Sequence, residues 1–457
     1  MNLPYLLFLA GSAALGGFLF GFDSAVINGA LEGLRAGFHS TTVGTGFAVA
    51  SILLGCAVGA LIAGRLADVI GRRATMLASA ALFAVTAVAS ALAPTENLFS
   101  IVRLLSGIGV GAASVVCPAY IAEISPERLR GRIASLQQLG IVLGIFAALL
   151  SDELLARAAG GPAAPLWGGL AAWRWMFLVE AFPAVLFGLA VSFVAESPRY
   201  LVARGREAEA LAVLGRIQPR GAEETVKRIR ATISADRRPR LADLRGPSGL
   251  LLPVVVTGVG LSVLQQLVGI NSIFYYGAVL WQAVGFTSAD SLRINVVTGV
   301  VNIASTLLAI AFVDRVGRRA LLRWGAVAMA IALGVVVAAF ASGHTEPGGH
   351  ADLSPTAGVV ALVAANLYVF AFGVSWGPCV WVLLGEMFPN RIRAAAMAVA
   401  VFAQWIANWA VTVSFPPTVG AVGPTGAYAG YLVLSLVAFV FVSARVQETR
   451  GRPLEEM

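Results

Sequence analysis

Charge is scarce in this chain. Of 457 residues only 12% are Asp, Glu, Lys or Arg, against about 25% in a typical soluble domain. A soluble chain of this length divides into two or three domains, each needing its own polar surface. Here there is too little charge to cover them. Hydrophobic residues make up 58% of the chain, and mean hydropathy is +0.83. These figures exclude a soluble enzyme, a nucleic-acid-binding protein and a disordered chain. They leave a polytopic protein solvated by the lipid bilayer. In that setting the net charge of +8 marks loops on one side of a membrane rather than affinity for nucleic acid.

Cysteine, histidine and lysine are also sparse. Cys56, Cys117 and Cys379 all lie in apolar runs and outline no disulfide framework. His39, His344 and His350 are scattered without metal-ligand spacing, so no metal site is expected. Lys227 is the only lysine, and no G-x-x-x-x-G-K-[ST] precedes it. A P-loop is therefore absent, and with it an ATP-driven pump on the same chain. No cofactor is expected.

Long apolar runs are abundant. A spanning helix needs about 20 apolar residues, and twelve are expected: 5–29, 43–63, 74–93, 98–122, 133–154, 171–194, 250–282, 290–313, 320–341, 356–384, 394–416 and 426–444. The start, with no positive n-region, reads as a retained first span rather than a cleaved signal peptide. With both termini cytoplasmic, all but five of the 32 Lys+Arg lie on the cytoplasmic side; the exceptions are Arg35, Arg157, Arg174, Arg293 and the intramembrane Arg103. The reverse topology violates the positive-inside rule. The segment 195–249 holds 12 Lys+Arg and two amphipathic stretches punctuated by Pro219, Gly221, Pro239 and Pro247. It reads as a cytoplasmic linker of short helices. The expected organisation is a six-helix bundle over 1–194, the linker over 195–249, a second bundle over 250–444 and a tail over 445–457.

The two halves echo each other. Asp68-x-x-Gly71-Arg72-Arg73 after span 2 returns as Asp314-x-x-Gly317-Arg318-Arg319 after span 8. Glu123-x-x-Pro126-x-Arg128-x-Arg130 after span 4 returns as Glu386-x-x-Pro389-x-Arg391-x-Arg393 after span 10. Gly21-Phe22-Asp23-Ser24 parallels Gly269-Ile270-Asn271-Ser272, and Glu196 parallels Glu448. Such order implies two homologous bundles, with a substrate site near the midplane between them.

These motifs, with Arg103-x-x-x-Gly107-x-Gly109-x-Gly111, Pro118-x-Tyr120-x-x-Glu123, Glu196-Ser197-Pro198-Arg199, Gln265-Gln266-x-x-Gly269-Ile270-Asn271 and Glu448-Thr449-x-Gly451, carry a resemblance. The chain resembles the sugar porter branch of the major facilitator superfamily from about Gly16 to Glu456. The resemblance implies an all-α membrane protein of twelve transmembrane helices in two pseudo-symmetric six-helix bundles. It also implies a bacterial transporter, not an enzyme, in the cell (inner) membrane and expected to be monomeric. The chain departs from the family pattern at Val69, Ala195, Gln447 and Ala394, all beside the arginine motifs. Gly107-x-Gly109-x-Gly111 sits inside a span with no strand before it, so close helix packing explains it better than dinucleotide binding.

An ionisable residue inside a membrane is a functional candidate by default. Asp23 on span 1 and Arg103 on span 4 lie at similar expected depth and pair if those spans are neighbours. Ion pairing favours the charged carboxylate, and desolvation favours the protonated form. Asp23 is therefore the expected proton site and Arg103 its partner. The alternative is a sugar uniporter in which the pair is purely structural. Glu180 on span 6 is a second intramembrane acid with two readings, a place on the proton route or, the favoured one, contact with the cytoplasmic charge network.

Buried amides offer both donors and acceptors, which suits a polyol ligand. Gln138, Gln265, Gln266, Asn271, Asn302, Trp381, Gln404 and Trp405 match the sugar-contacting positions that the resemblance implies. Phe20, Tyr275, Gly377 and Asn408 are candidates for lining or gating the site. Gly269 is expected to bend span 7, and Gly377-Pro378 to break span 10. Trp173, Trp175 and Trp281 are expected at the membrane interface. Finally, Asp68, Arg72, Glu123, Arg130, Glu196, Asp314, Arg318, Glu386, Arg393 and Glu448 are expected to form a cytoplasmic clasp by pairing between the bundles. The resulting expectation is proton–monosaccharide symport by alternating access, with sugar, proton and lipid as partners and no nucleic acid.

Overall fold

The computed structural model describes residues 2–126, 129–219, 221–235, 241–246, 249–283, 285–345, 351–389 and 392–448. Helices dominate it. Among the described residues, strand pairing is confined to a two-residue ladder of His344–Thr345 with Ala351–Asp352 and two isolated bridges.

The first five spans are Leu3–Phe38, Thr42–Ile70, Arg72–Leu92, Glu96–Ile124 and Arg130–Ala159. Side-chain caps set several starts. Asn2 accepts from the Tyr5 N–H, Thr41 from Gly44, Thr95 from Leu98 and Ser354 from Ala357, each satisfying an N–H that the first helical turn leaves unpaired. Span 1 continues nine residues beyond its expected end at 29, so Asp23 lies well inside a long helix rather than near its terminus. Span 6 runs from Ala172 to Ser192 and is interrupted at Glu180. Short helices Pro198–Ala203, Glu207–Ile217 and Ala222–Ala235 follow. The Asn2 N–H bonds to the Ile217 carbonyl, which ties the start of the chain to these helices. That side of the molecule is called the terminal face below.

In the second half, span 7 is split into Pro253–Leu267 and Ile270–Ala283, span 8 is Ser288–Val316 and span 9 is Arg318–Ala341. Span 10 comprises Pro355–Val374 and Trp376–Met387. Its break falls at Ser375, not at Gly377-Pro378 as expected. Pro378 sits in the first turn of the second piece, where a missing N–H costs no helical bond. Spans 11 and 12 form one helical stretch, Arg393–Arg445, with non-helical backbone only at Gly423 (φ 70°, ψ 172°). At 1.5 Å per residue such a stretch is about 80 Å long, far more than the ~30 Å hydrocarbon layer. The break at Gly423 therefore divides it into two crossings. The loop expected over 417–425 is otherwise helical.

Packing within each half is close. Gly55 and Gly59 of span 2 face the carbonyls of Leu104 and Ile108, and Gly107 and Gly111 of span 4 face those of Ile52 and Cys56. A Cβ at any of these positions would collide with backbone, so the glycine repeat in span 4 is a packing seam. Trp173 and Trp281, expected at the interface, are instead buried. Trp173 packs edge-on against Phe38, Phe99 and Phe177. Between the halves, span 1 packs on span 7, span 2 on span 11 and span 5 on span 8.

Candidate functional site

Asp23 is fully buried and Arg103 is 1% exposed. Arg103 Nη1 pairs with Asp23 Oδ1, and Nη2 donates to the Asp23 main-chain carbonyl at 3.0 Å. Ser106, one turn beyond Arg103, donates to Asp23 Oδ2 at 2.8 Å. The guanidinium also lies over the Phe177 ring, 5.4 Å from its centroid. The cation–π contact and the two polar contacts to Asp23 compensate part of the cost of burying this charge. Glu180 is buried on span 6, and its Oε1 has no hydrogen-bond partner among the described residues.

The amides of span 7 are brought together by its break. Gly269 has φ +89°, and a Cβ there would stand 2.4 Å from carbons of the Tyr431 ring. Glycine is thus required both by the backbone and by the close approach. Across this break Asn271 Nδ2 donates to Gln266 Oε1 at 2.6 Å, and Gln266 Nε2 donates to Gln265 Oε1 at 3.2 Å. Gln265 Nε2 in turn donates to the carbonyls of Trp376 and Gly377 at 2.8 and 3.2 Å. The two broken helices are therefore tied by one chain of amides. Tyr368 donates to the freed carbonyl of Val268 at 2.8 Å. The sequence reading missed Tyr368, Tyr431 and Ser106. Ser106 alone left a signal, its i, i+3 spacing from Arg103.

Spans 1, 7 and 11 converge nearby. Phe20 meets Trp405 edge-to-face at 5.3 Å between centroids. The Tyr275 hydroxyl accepts from Asn408 Nδ2 at 3.4 Å. Asn408 Oδ1 accepts from Thr412 at 3.2 Å. Tyr275 thus ties span 7 to the polar face of span 11. Gln404 and Trp405 are buried, and Gln404 Oε1 and Trp405 Nε1 lack a hydrogen-bond partner among the described residues. Asn302 is buried on span 8 beside Gly373, while Gln138 and Trp381 are half-buried. No hydrogen bond connects these three to the amide chain among the described residues. Nor do three or more His, Cys, Asp or Glu side chains gather there in a metal-binding group.

The charged motifs of the terminal face repeat almost atom for atom. Glu196 accepts from the N–H groups of Arg72 and Arg73, and Glu448 from those of Arg318 and Arg319. Each carboxylate thereby caps the start of a helix, where the dipole favours an anion. Gly71 and Gly317 share φ +97°, and a Cβ on either would strike the capping carboxylate. Arg72 forms a fork on Glu123 at 3.1 and 3.2 Å and also pairs with Asp68 at 3.1 Å. Arg318 pairs with Glu386 at 2.9 Å. Arg393 donates to the Phe388 carbonyl at 3.1 Å. Among the described residues these contacts lie inside one half or the other. The side chains of Arg130 and Asp314 lie outside the described residues.

Two helical bundles around a buried ion pair and a cluster of amides and indoles define a membrane transporter. Residues 9–457 match the family model "Sugar (and other) transporter", and the chain belongs to that family. It is 51% identical to the glucose transport protein of Synechocystis sp., covering all of this chain and 97% of that one. It is 35% identical to the D-xylose-proton symporter of Escherichia coli, covering all of this chain and 96% of that one. Among solved structures, it resembles the partially occluded inward open conformation of the E. coli xylose transporter XylE. The TM-score is 0.85 at 34% identity, covering 98% of this chain and all of that one.

Proposed function

We propose that this protein is a proton-coupled symporter that carries a monosaccharide, a hexose or pentose, or a related polyol into the cell by alternating access. The observation that carries this reading is the linkage of two chemistries. The buried Asp23–Arg103 pair shares span 1 with Phe20, three residues before Asp23, which meets Trp405 of the amide and indole cluster edge-to-face. An acid held by a buried cation binds a proton when that hold is loosened. Uncharged amides and indoles suit a neutral ligand with hydroxyl rims and apolar C–H faces.

Asp23 is the proton site and Arg103 its partner. Gln138, Gln265, Gln266, Asn271, Asn302, Trp381, Gln404 and Trp405 bind the sugar, with Phe20, Tyr275, Gly377 and Asn408 lining or gating the site. The unpartnered Gln404 Oε1 and Trp405 Nε1 are one acceptor and one donor that hydroxyls would satisfy. Protonation of Asp23 weakens its hold on Arg103. Sugar binding then favours closure on one side and opening on the other, because both ligands bias one equilibrium. The symporter and glucose transporter relatives support this reading.

The protein works as a monomer in the cell membrane, with both termini and the arginine motifs in the cytoplasm. Residues 1–194 and 250–444 are the two halves, 195–249 the linker and 445–457 the tail. The test is uptake of labelled glucose, galactose, xylose, arabinose and myo-inositol into proteoliposomes, with and without an inward proton gradient. Accumulation of at least one of them against its gradient, only when the proton gradient is imposed, is expected. Equilibration without accumulation would establish facilitated diffusion instead.

A further inference from the structure

The two oxygens of the Asp23 carboxyl face different chemistry. Oδ1 pairs with Arg103 Nη1, while Nη2 is taken by the Asp23 main-chain carbonyl at 3.0 Å. Oδ2 accepts from the Ser106 hydroxyl at 2.8 Å. All three residues are buried, and Ser106 is 3% exposed. A guanidinium has only donors, whereas a hydroxyl has one donor and two acceptor lone pairs. A hydrogen placed on Oδ1 would therefore point at another hydrogen. One placed on Oδ2 meets an oxygen that can turn and accept it.

Span 4 places this hydroxyl. Ser106 follows Arg103 by three residues, which puts both side chains on one helix face. Gly107 and Gly111 fix the neighbouring face of span 4 against the backbone of span 2. A helical serine that stops donating outward can turn its hydrogen to the carbonyl four residues back, here that of Val102. One rotation of the Ser106 hydroxyl thus satisfies both protonation states of Asp23. Arg103 need not leave the main-chain carbonyl for this to happen.

The other buried acids and tyrosines on the spans packed against span 1 are engaged elsewhere or stand apart. Asp152 of span 5 accepts from the Gly29 N–H at 3.2 Å, six residues further along span 1. Tyr275 of span 7 accepts from Asn408 at 3.4 Å, and Tyr276 donates to the Thr412 carbonyl at 2.9 Å. Tyr120 of span 4 donates to the Ala195 carbonyl at 2.7 Å. Glu180 of span 6 makes no hydrogen bond to Asp23, Arg103 or Ser106 among the described residues. Arg103 and Ser106 are therefore the two side chains that bond the Asp23 carboxyl.

We propose that Ser106 is a positioning residue for the coupled proton: it directs the proton to Oδ2 of Asp23 and sets the pH at which Asp23 takes it up. This deepens the reading of Asp23 as the proton site and rests on it. Donation to a charged carboxylate is roughly twice as strong as a bond to the neutral acid. Removing the hydroxyl therefore costs the carboxylate more, and Asp23 keeps its proton to higher pH. Infrared difference spectra of the sugar-free protein in liposomes follow the carboxylic acid C=O band as pH is varied, and the part absent from D23N belongs to Asp23. S106A is expected to move the midpoint of that band upward by about one pH unit. S106T keeps the hydroxyl and is expected to titrate as the parent does. If S106A does not fold, S106C, a weaker donor, is expected to move the midpoint in the same direction by less. An unchanged or lower midpoint in folded S106A or S106C, or a shift in S106T equal to that in S106A, would overturn the role of Ser106. Loss of the band in D23N would still leave the proton-site reading standing in that case. A D23N spectrum identical to the parent at every pH would overturn both.

Discussion

Arg103 holds Asp23 at two points, the carboxylate and the main-chain carbonyl of the same residue. The second contact survives protonation, because it does not involve the carboxyl group. The pair can therefore loosen without separating spans 1 and 4. D23N keeps a side chain of the same shape and removes the titratable group. Sugar accumulation driven by a pH gradient should fall about 100-fold, while exchange of labelled for unlabelled sugar persists. Full gradient-driven accumulation by D23N would remove Asp23 from the coupling mechanism.

Gln404 and Gln265 should respond differently to the same truncation. Gln404 Oε1 has no hydrogen-bond partner among the described residues, so Q404A is expected to raise the KM for sugar about 10-fold or more with little change in melting temperature. Gln265 supports the carbonyls of Trp376 and Gly377. Q265A should therefore lower thermal stability as well, by about 2 kcal/mol. Equal melting temperatures for the two variants would contradict the structural role of Gln265.

Gly269 combines a left-handed backbone with ring contact. G269A adds conformational strain and overpacking against Tyr431, expected to cost about 3 kcal/mol together. Thermal unfolding in detergent followed by tryptophan fluorescence measures this. A melting temperature equal to that of the parent would show that the span 7 break tolerates a side chain.

Glu196 supports stability before anything else. E196A removes the acceptor for the N–H groups of Arg72, Arg73 and Ser197. The melting temperature should drop by several degrees, consistent with a loss of about 2 kcal/mol. Because these contacts lie within one half, spin-label distances across the face opposite the termini should stay as in the parent. A large change in those distances with unchanged melting would assign Glu196 to gating instead.

Much of this architecture is written in the chain itself. Apolar runs of the length of a bilayer dictate spanning helices, because backbone groups in lipid must pair within the segment. The repeated glycine, arginine and acid positions specify two matching halves. Asp23 and Arg103 stand out because charge is so rare within the spans. The helix ends were less legible. Span 1 runs on to Phe38 because polar residues beyond 29 still find partners in protein. Glu32, for example, meets Gln282 and Ser288. Asn28 and Asp152 lay in plain view within apolar runs, but nothing local names their partners.

Sequence by itself determined that this chain spans a membrane, that its halves are homologous, and which intramembrane polar residues call for an explanation. Local composition and periodicity suffice for that, since lipid penalises every unpaired polar group wherever it sits. Tertiary structure alone decided the partners. Glu196 caps a helix of its own half, Ser106 joins Arg103 on Asp23, and Asn28 reaches across to the backbone of span 7. Hydrogen bonds act over about 3 Å, and residues 245 or more apart come that close only after the helices have packed.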